Sequence, residues 1–151
     1  MPATRHIVPA RAGRGRLLLT ERELRNWGEK LGESSVAPLT IALSGELGTG
    51  KTTLAQSICR GYGVTEDVTS PTYALVHQYS APKSAVYHID LYRLDSAEQL
   101  TNLGWDDIIN SNSLVIVEWP DRAGERLPAN HVPIDLEYVA GDEAHRILLA
   151  G

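Results

Sequence analysis

Gly45-Glu46-Leu47-Gly48-Thr49-Gly50-Lys51-Thr52 stands between an apolar segment, Leu39 to Leu43, and a segment of helical periodicity, Thr52 to Tyr62. The spacing G-x-x-x-x-G-K-[ST] lets successive backbone N–H groups curl around an anion, sets an ammonium beside it and leaves a hydroxyl for a hard cation. Gly45, Gly48 and Gly50 can take φ > 0 and let the backbone approach a ligand closely. Glu46, Leu47 and Thr49 contribute amides to the same curl, and the helix that follows offers unpaired N-terminal donors and the positive end of its dipole. Lys51 acts as a point charge on outer phosphates, and the Thr52 hydroxyl is a hard oxygen ligand suited to Mg²⁺. A glycine turn that happens to carry a lysine is the plain alternative. A chance match of this pattern is expected in roughly half a percent of chains this long. The strand before it and the helix after it make chance less probable still.

The 151 residues fit one domain with a sizeable core and leave no room for a second catalytic domain. No apolar run approaches the ~20 residues needed to span a bilayer, so no membrane role is expected. Cys59 is the single cysteine and has no partner for a disulfide or a zinc cluster; core packing in a reducing, cytoplasmic compartment is its expected role. The formal net charge of −5 argues against a free-standing nucleic-acid binder, so no contact with DNA is expected and contact with RNA would run through a partner. Arg5, Arg11, Arg14 and Arg16 fall among Pro and Gly with no acidic residue between them. Residues 1–15 are therefore expected to form a flexible basic tail rather than a targeting peptide or docking arm, and residues 16–151 the domain.

Thr20-Glu21-Arg22-Glu23 matches a capping box, and Leu24, Trp27 and Leu31 recur at helical spacing, which predicts a helix over about 21–32. Leu39 to Leu43 reads as a buried strand feeding the loop. The next helix places Leu54 and Ile58 on one face, with Gly61 and Gly63 as stop signals. Tyr73 to Tyr79 and Ala85 to Tyr92 read as a hairpin, and Ser96 caps a helix that Gly104 ends. Leu114-Val-Ile-Val117 has the continuous apolar character of a central parallel strand, and Glu118 closes it. After a polar stretch from Pro120 to Pro133, segments Ile134 to Val139 and Ala144 to Leu149 predict a terminal hairpin. Strands joined by helices around such a loop imply an α/β sandwich whose ligand sits at the carboxyl ends of the strands, where Gly45, Asp90 and Glu118 would gather.

Binding a nucleotide needs the loop; hydrolysing it needs a strand-tip carboxylate beside the metal and a group that orients water. Glu118 is the better-placed carboxylate, with an ordinary strand-end glutamate as the alternative. His88, Asp90 and Tyr92 alternate with apolar residues and so share one face of a strand, which a merely solvated face would also produce. Asp90 can position water or complete a magnesium shell, while His88 and Arg93 can be structural partners or phosphate contacts. Ser70-Pro71-Thr72-Tyr73 reads on physical grounds as a stiffened turn. Trp119 can stack on a base or pack in the core.

Gly45-Glu-Leu-Gly-Thr-Gly-Lys-Thr-Thr53, Ser70-Pro-Thr-Tyr73, His88-Ile-Asp-Leu-Tyr-Arg93 and Val117-Glu-Trp-Pro120, in this order and at these separations, together resemble the bacterial TsaE (YjeE) family over roughly residues 16–151. The resemblance implies a P-loop NTPase-like three-layer sandwich with a mixed, mostly parallel central sheet and antiparallel hairpin additions. It implies an ATPase, weak alone, that works with TsaD and TsaB partners in making threonylcarbamoyl-modified adenosine in tRNA, which it meets only through the complex. On the family's pattern Thr52 and Glu118 hold Mg²⁺, Lys51 and the loop amides through Thr53 hold the phosphates of ATP or ADP, and Asp90 is needed for hydrolysis. Ser70-Pro71-Thr72-Tyr73 resembles the family's switch-like loop, and Trp119 becomes a neighbour of the nucleotide, with Thr20 or Glu21 near its base. Many members carry a glutamate where this chain has Asp121.

A GTPase is the first rival, and no Asn-Lys-x-Asp guanine motif is present. A transporter-type ATPase would need a Ser-Gly-Gly signature, also missing. A small-molecule or nucleotide kinase rests on Arg122 and Arg126 as an arginine-bearing lid. A non-enzymatic module, whose bound nucleotide fixes the shape of an interface, is the remaining class.

Overall fold

The computed structural model describes residues 12–69 and 75–151. Two strands with continuous apolar runs lie at the centre: β2 (Leu39–Ser44) and β5 (Leu114–Glu118), hydrogen-bonded in parallel. β6 (Val132–Val139) adds to β2 and β4 (Ala85–Asp90) to β5, both in parallel. Three further strands are antiparallel additions. β7 (Asp142–Ala150) forms a hairpin with β6, β1 (Gly15–Thr20) pairs with β7, and β3 (Val76–Ser80) pairs with β4. The sheet order is β1-β7-β6-β2-β5-β4-β3.

Period-two alternation splits the buried side chains between two faces. Ile41, Leu43, Leu114 and Ile116 pack against Leu24, Trp27 and Leu31 of α1 (Glu21–Ser34) and Leu54 and Ile58 of α2 (Lys51–Tyr62). Ile89, Val115 and Val117 pack on the other side against Leu100 of α3 (Ala97–Asn102) and Trp105 and Ile108 of α4 (Trp105–Ile109). Helix, sheet and helix thus make three layers, as the sequence predicts.

The capping box forms as expected: the Glu23 N–H donates to Thr20 Oγ1 at 3.2 Å, and the Thr20 N–H to Glu23 Oε1 at 3.0 Å. Removing this cap with Thr20→Ala is expected to cost about 1 kcal/mol. Thermal unfolding followed by circular dichroism would show a loss of roughly 2–4 °C for a domain of this size, and an unchanged midpoint would refute the cap.

Several expectations need correction. Gly61 is not a stop signal but lies inside α2; the helix ends at Gly63, whose N–H reaches Arg60 O and Cys59 O at 3.1 Å. Gly61 is there for contact, because a Cβ would stand 2.1 Å from Glu29 O of α1, and one on Gly32 would stand 2.1 Å from Ile58 O. Helices α1 and α2 therefore touch backbone to backbone. Strand β4 stops at Asp90, so Tyr92 lies in the turn beyond it. The stretch after β5 holds a 3-10 segment, Pro120–Arg126. Of the expected tail, residues 1–11 lie outside the described residues, but Ala12 is buried and Gly13 O accepts from the Trp27 indole at 3.3 Å. The packed structure thus begins before residue 16.

Candidate functional site

The loop between β2 and α2 holds Gly45, Gly48 and Gly50 at φ of 149, 79 and 108°. The backbone enforces one of these glycines: a Cβ on Gly45 would stand 2.6 Å from Leu136 O, whereas one on Gly48 would meet only the tip of the Tyr138 side chain. Thr49 is buried and its hydroxyl donates to Glu46 O at 2.8 Å. The hydroxyl of Tyr138, on the β6–β7 hairpin, donates to Leu47 O, and Arg146 stacks over the Tyr138 ring at 4.7 Å. The terminal hairpin thereby grips the loop from outside.

Lys51, 5% exposed, turns its ammonium back onto the loop, donating to Gly45 O at 2.6 Å and Glu46 O at 2.8 Å. It also lies 4.4 Å from the centre of the Trp119 ring. Burial holds its pKa below the usual lysine range, against the opposing pull of Glu118 and Asp90.

Parallel pairing aligns Leu43, Glu118 and Asp90 in one row across β2, β5 and β4, which brings both carboxylates to the carboxyl ends of the strands beside the loop. The first turn of α2 faces them: Thr52 Oγ1 lies 3.3 and 3.4 Å from the Glu118 carboxylate oxygens. His88 Nε2 meets Glu118 Oε2 at 2.5 Å, with both side chains buried. Asp90 accepts from the Tyr92 N–H at 3.0 Å. Its carboxyl is pushed above the usual range chiefly by burial; the Tyr92 N–H lowers it, nearby Glu118 raises it further, and His88 and Lys51 oppose that.

These groups line a cleft of about 360 Å³: Leu47, Gly48, Gly50, Lys51, Thr52 and Thr53 on one side, and Asp90, Tyr92, Glu118 and Trp119 on the other. Trp119 has φ of 58° and ψ of 52°, a left-handed conformation rare for a bulky residue. It packs against Tyr92 at 5.1 Å between ring centres. His88 lies behind Glu118 rather than in the cleft, and Arg93 is exposed outside it. Ser70, Pro71, Thr72 and Tyr73 lie outside the described residues; Thr69, just before them, donates its N–H to the Tyr79 hydroxyl at 3.2 Å.

A second cavity of about 240 Å³ opens on the far side of the loop, between Glu21 and Leu24 of α1 and Glu143 and Arg146 of β7. Arg146, Tyr138 and Leu136 carried no signal in the sequence as loop partners, because nothing local ties a terminal hairpin to a loop some ninety residues earlier. Asp121 is exposed and lines neither cavity. Arg126 is committed elsewhere, donating to Thr101 Oγ1 at 2.7 Å and to Asp106 Oδ2 at 3.1 Å. It fastens the 3-10 segment to α3 and α4, which removes it from any lid.

Among the described residues no three His, Cys, Asp or Glu side chains are grouped to hold a metal ion. The donors that converge are one hydroxyl and one carboxylate with a second carboxylate in the same row. That oxygen-only set suits Mg²⁺, which keeps waters and takes phosphate oxygens to complete its shell, and does not suit a metal wanting a full protein cage.

The model of the family described as "Threonylcarbamoyl adenosine biosynthesis protein TsaE" matches residues 18–147. The protein of Nostoc sp. named "tRNA threonylcarbamoyladenosine biosynthesis protein TsaE" is 36% identical over 135 residues, 87% of this chain and 82% of that one. Its namesake from Haemophilus influenzae is 37% identical over 111 residues, 74% of this chain and 69% of the relative. In fold, the chain is similar to the crystal structure of Bacillus subtilus YdiB, with a TM-score of 0.72 at 23% identity, covering 90% of this chain and 86% of the other. With a family match that takes in the loop, both carboxylates and most of the terminal hairpin that grips the loop, the chain belongs to the TsaE family.

Proposed function

We propose that this chain binds and hydrolyses ATP as a component of the tRNA N6-threonylcarbamoyladenosine machinery, acting with TsaD and TsaB partners. The observation that carries the reading is the convergence of Thr52, Glu118 and Asp90 at the mouth of the glycine loop. In this reading the loop amides and the start of α2 bind the phosphates, and Lys51 exchanges the carbonyls of Gly45 and Glu46 for phosphate oxygens. Thr52 and Glu118 would hold Mg²⁺, with Asp90 beside them. When bound, that ion neutralises charge developing on the outer phosphates.

Asp90 orients the attacking water. Its burial and raised proton affinity favour accepting a hydrogen bond from that water. Trp119 shields the phosphate side of the cleft, and the second cavity, where Glu21 lines the start of α1, is the side assigned to the base. Acidic net charge supports contact with tRNA through the partners rather than directly, and the reading sets the protein in the cytoplasm. Among the described residues no helix is long and apolar enough to cross a membrane.

Phosphate release measured with and without a TsaB–TsaD pair tests this. Release is expected to be slow for the isolated chain and to rise with the pair. Labelled ATP incubated with a panel of small-molecule and nucleotide acceptors is expected to label none. A labelled acceptor, or release indifferent to the pair, would reverse the assignment toward a kinase or an independent enzyme.

A further inference from the structure

We propose that His88 is a positioning residue that fixes the orientation of the Glu118 carboxylate, an inference that rests on the metal-holding role given to Glu118 above. Register places it there: His88 pairs with Ile116 and Asp90 with Glu118, so His88 sits on the same face of the sheet, one row below the carboxylates. Its imidazole reaches up to Glu118 Oε2 at 2.5 Å, and the ring is 0% exposed. A phosphate contact is thereby excluded, since Glu118 stands between the ring and the cleft.

The distances decide which neighbour holds the carboxylate. Thr52 Oγ1 approaches both oxygens at 3.3 and 3.4 Å, long for an O–H···O bond, whereas the His88 contact is short. A cation would take a lone pair of the Thr52 hydroxyl and leave its O–H free to donate, so both neighbours can bond Glu118, and His88 makes the shorter contact that fixes the glutamate's terminal torsion. An ionised carboxylate only accepts, so the proton of the contact sits on Nε2. Nδ1 has no hydrogen-bond partner among the described residues, so the ring is tied at one atom only, to Glu118. His77, its cross-strand neighbour, bonds the Tyr79 hydroxyl instead. Carboxylates that hold a metal are themselves held by hydrogen bonds, and loss of such a partner typically costs about 10–100-fold in metal affinity or activity.

The test titrates Mn²⁺ into the full chain with a fixed concentration of ADP, reading free Mn²⁺ by electron paramagnetic resonance. His88→Leu removes the donor at similar bulk; His88→Gln keeps an amide donor at the reach of Nε2. His88→Leu is expected to need at least about tenfold more Mn²⁺ for half-saturation. His88→Gln is expected to recover most of that loss, and ADP affinity in EDTA should be the same for all three proteins. Should His88→Leu fail to melt cooperatively, His88→Asn, whose amide is too short to reach Glu118, replaces it. Equal Mn²⁺ affinity in wild type and the donor-less variant overturns the proposal, as does equal weakening by Leu and Gln in folded proteins. Glu118→Ala separates the two levels: if it weakens Mn²⁺ binding and His88→Leu does not, the His88 inference alone falls. If neither does, the metal-holding role of Glu118 falls with it.

Discussion

Glu118→Ala is expected to lower partner-stimulated ATP turnover by on the order of a hundredfold to a thousandfold while leaving nucleotide binding detectable. A metal contributes several kcal/mol of charge stabilisation in the transition state, and each 1.36 kcal/mol is about a factor of ten in rate. The loop amides, the start of α2 and Lys51 contact the phosphates independently of Glu118, so ground-state affinity survives. Asp90→Ala should behave alike, since it too acts on the reaction rather than on the phosphates. Lys51→Ala should instead weaken binding and turnover together, because its charge serves both bound nucleotide and transition state. Phosphate release with the partners present, alongside equilibrium binding of labelled nucleotide, separates the two patterns. Glu118→Gln keeps the side-chain volume and a hydrogen-bonding group for His88, and guards against reading a folding defect as a catalytic one. Full partner-dependent hydrolysis by the Glu118 and Asp90 variants would end the proposed division of labour.

Gly32→Ala is expected to destabilise the protein by about 3 kcal/mol, at the upper end for overpacking and a large part of a typical folding free energy. On propensity alone the change should help, since alanine is favoured over glycine inside a helix by roughly 0.5–1 kcal/mol. The contact decides otherwise. The new Cβ would lie 2.1 Å from Ile58 O and 2.8 Å from Tyr62 N, all on backbone that no rotamer change can move. Gly61→Ala meets Glu29 O at the same 2.1 Å and should cost as much. Where the clash is relieved by shifting α2, whose first turn carries Lys51 and Thr52, nucleotide affinity should drop along with the melting temperature. Urea unfolding of the Ala variants measures this; a stability equal to or above wild type would mean the helices have room to spare.

What could be read from the chain beforehand was whatever is encoded locally. The phosphate loop is one contiguous run, the capping box spans four residues, and the apolar stretch ending at Glu118 marks a central strand by itself. Alternation over His88, Ile89 and Asp90 identified a shared face but not its environment. That His88 is buried against Glu118 depends on how β4 docks beside β5, thirty residues later. The helix-packing glycines were invisible for a related reason: Gly61 looks like a terminator unless the opposing backbone of α1 is known. Arg126 looked available for a lid because its partners, Thr101 and Asp106, belong to helices that no local pattern ties to it. The pairing of β1 with β7 joins Gly15 to Ala150, across most of the chain's length.

The posture of Lys51 has an energetic corollary. Its ammonium is already shared between two carbonyl oxygens and an indole face. An incoming triphosphate therefore has less hydration to displace from that cation than from a free lysine. Folding has met part of that dehydration in advance, and ligand capture becomes largely a swap of one set of oxygens for another.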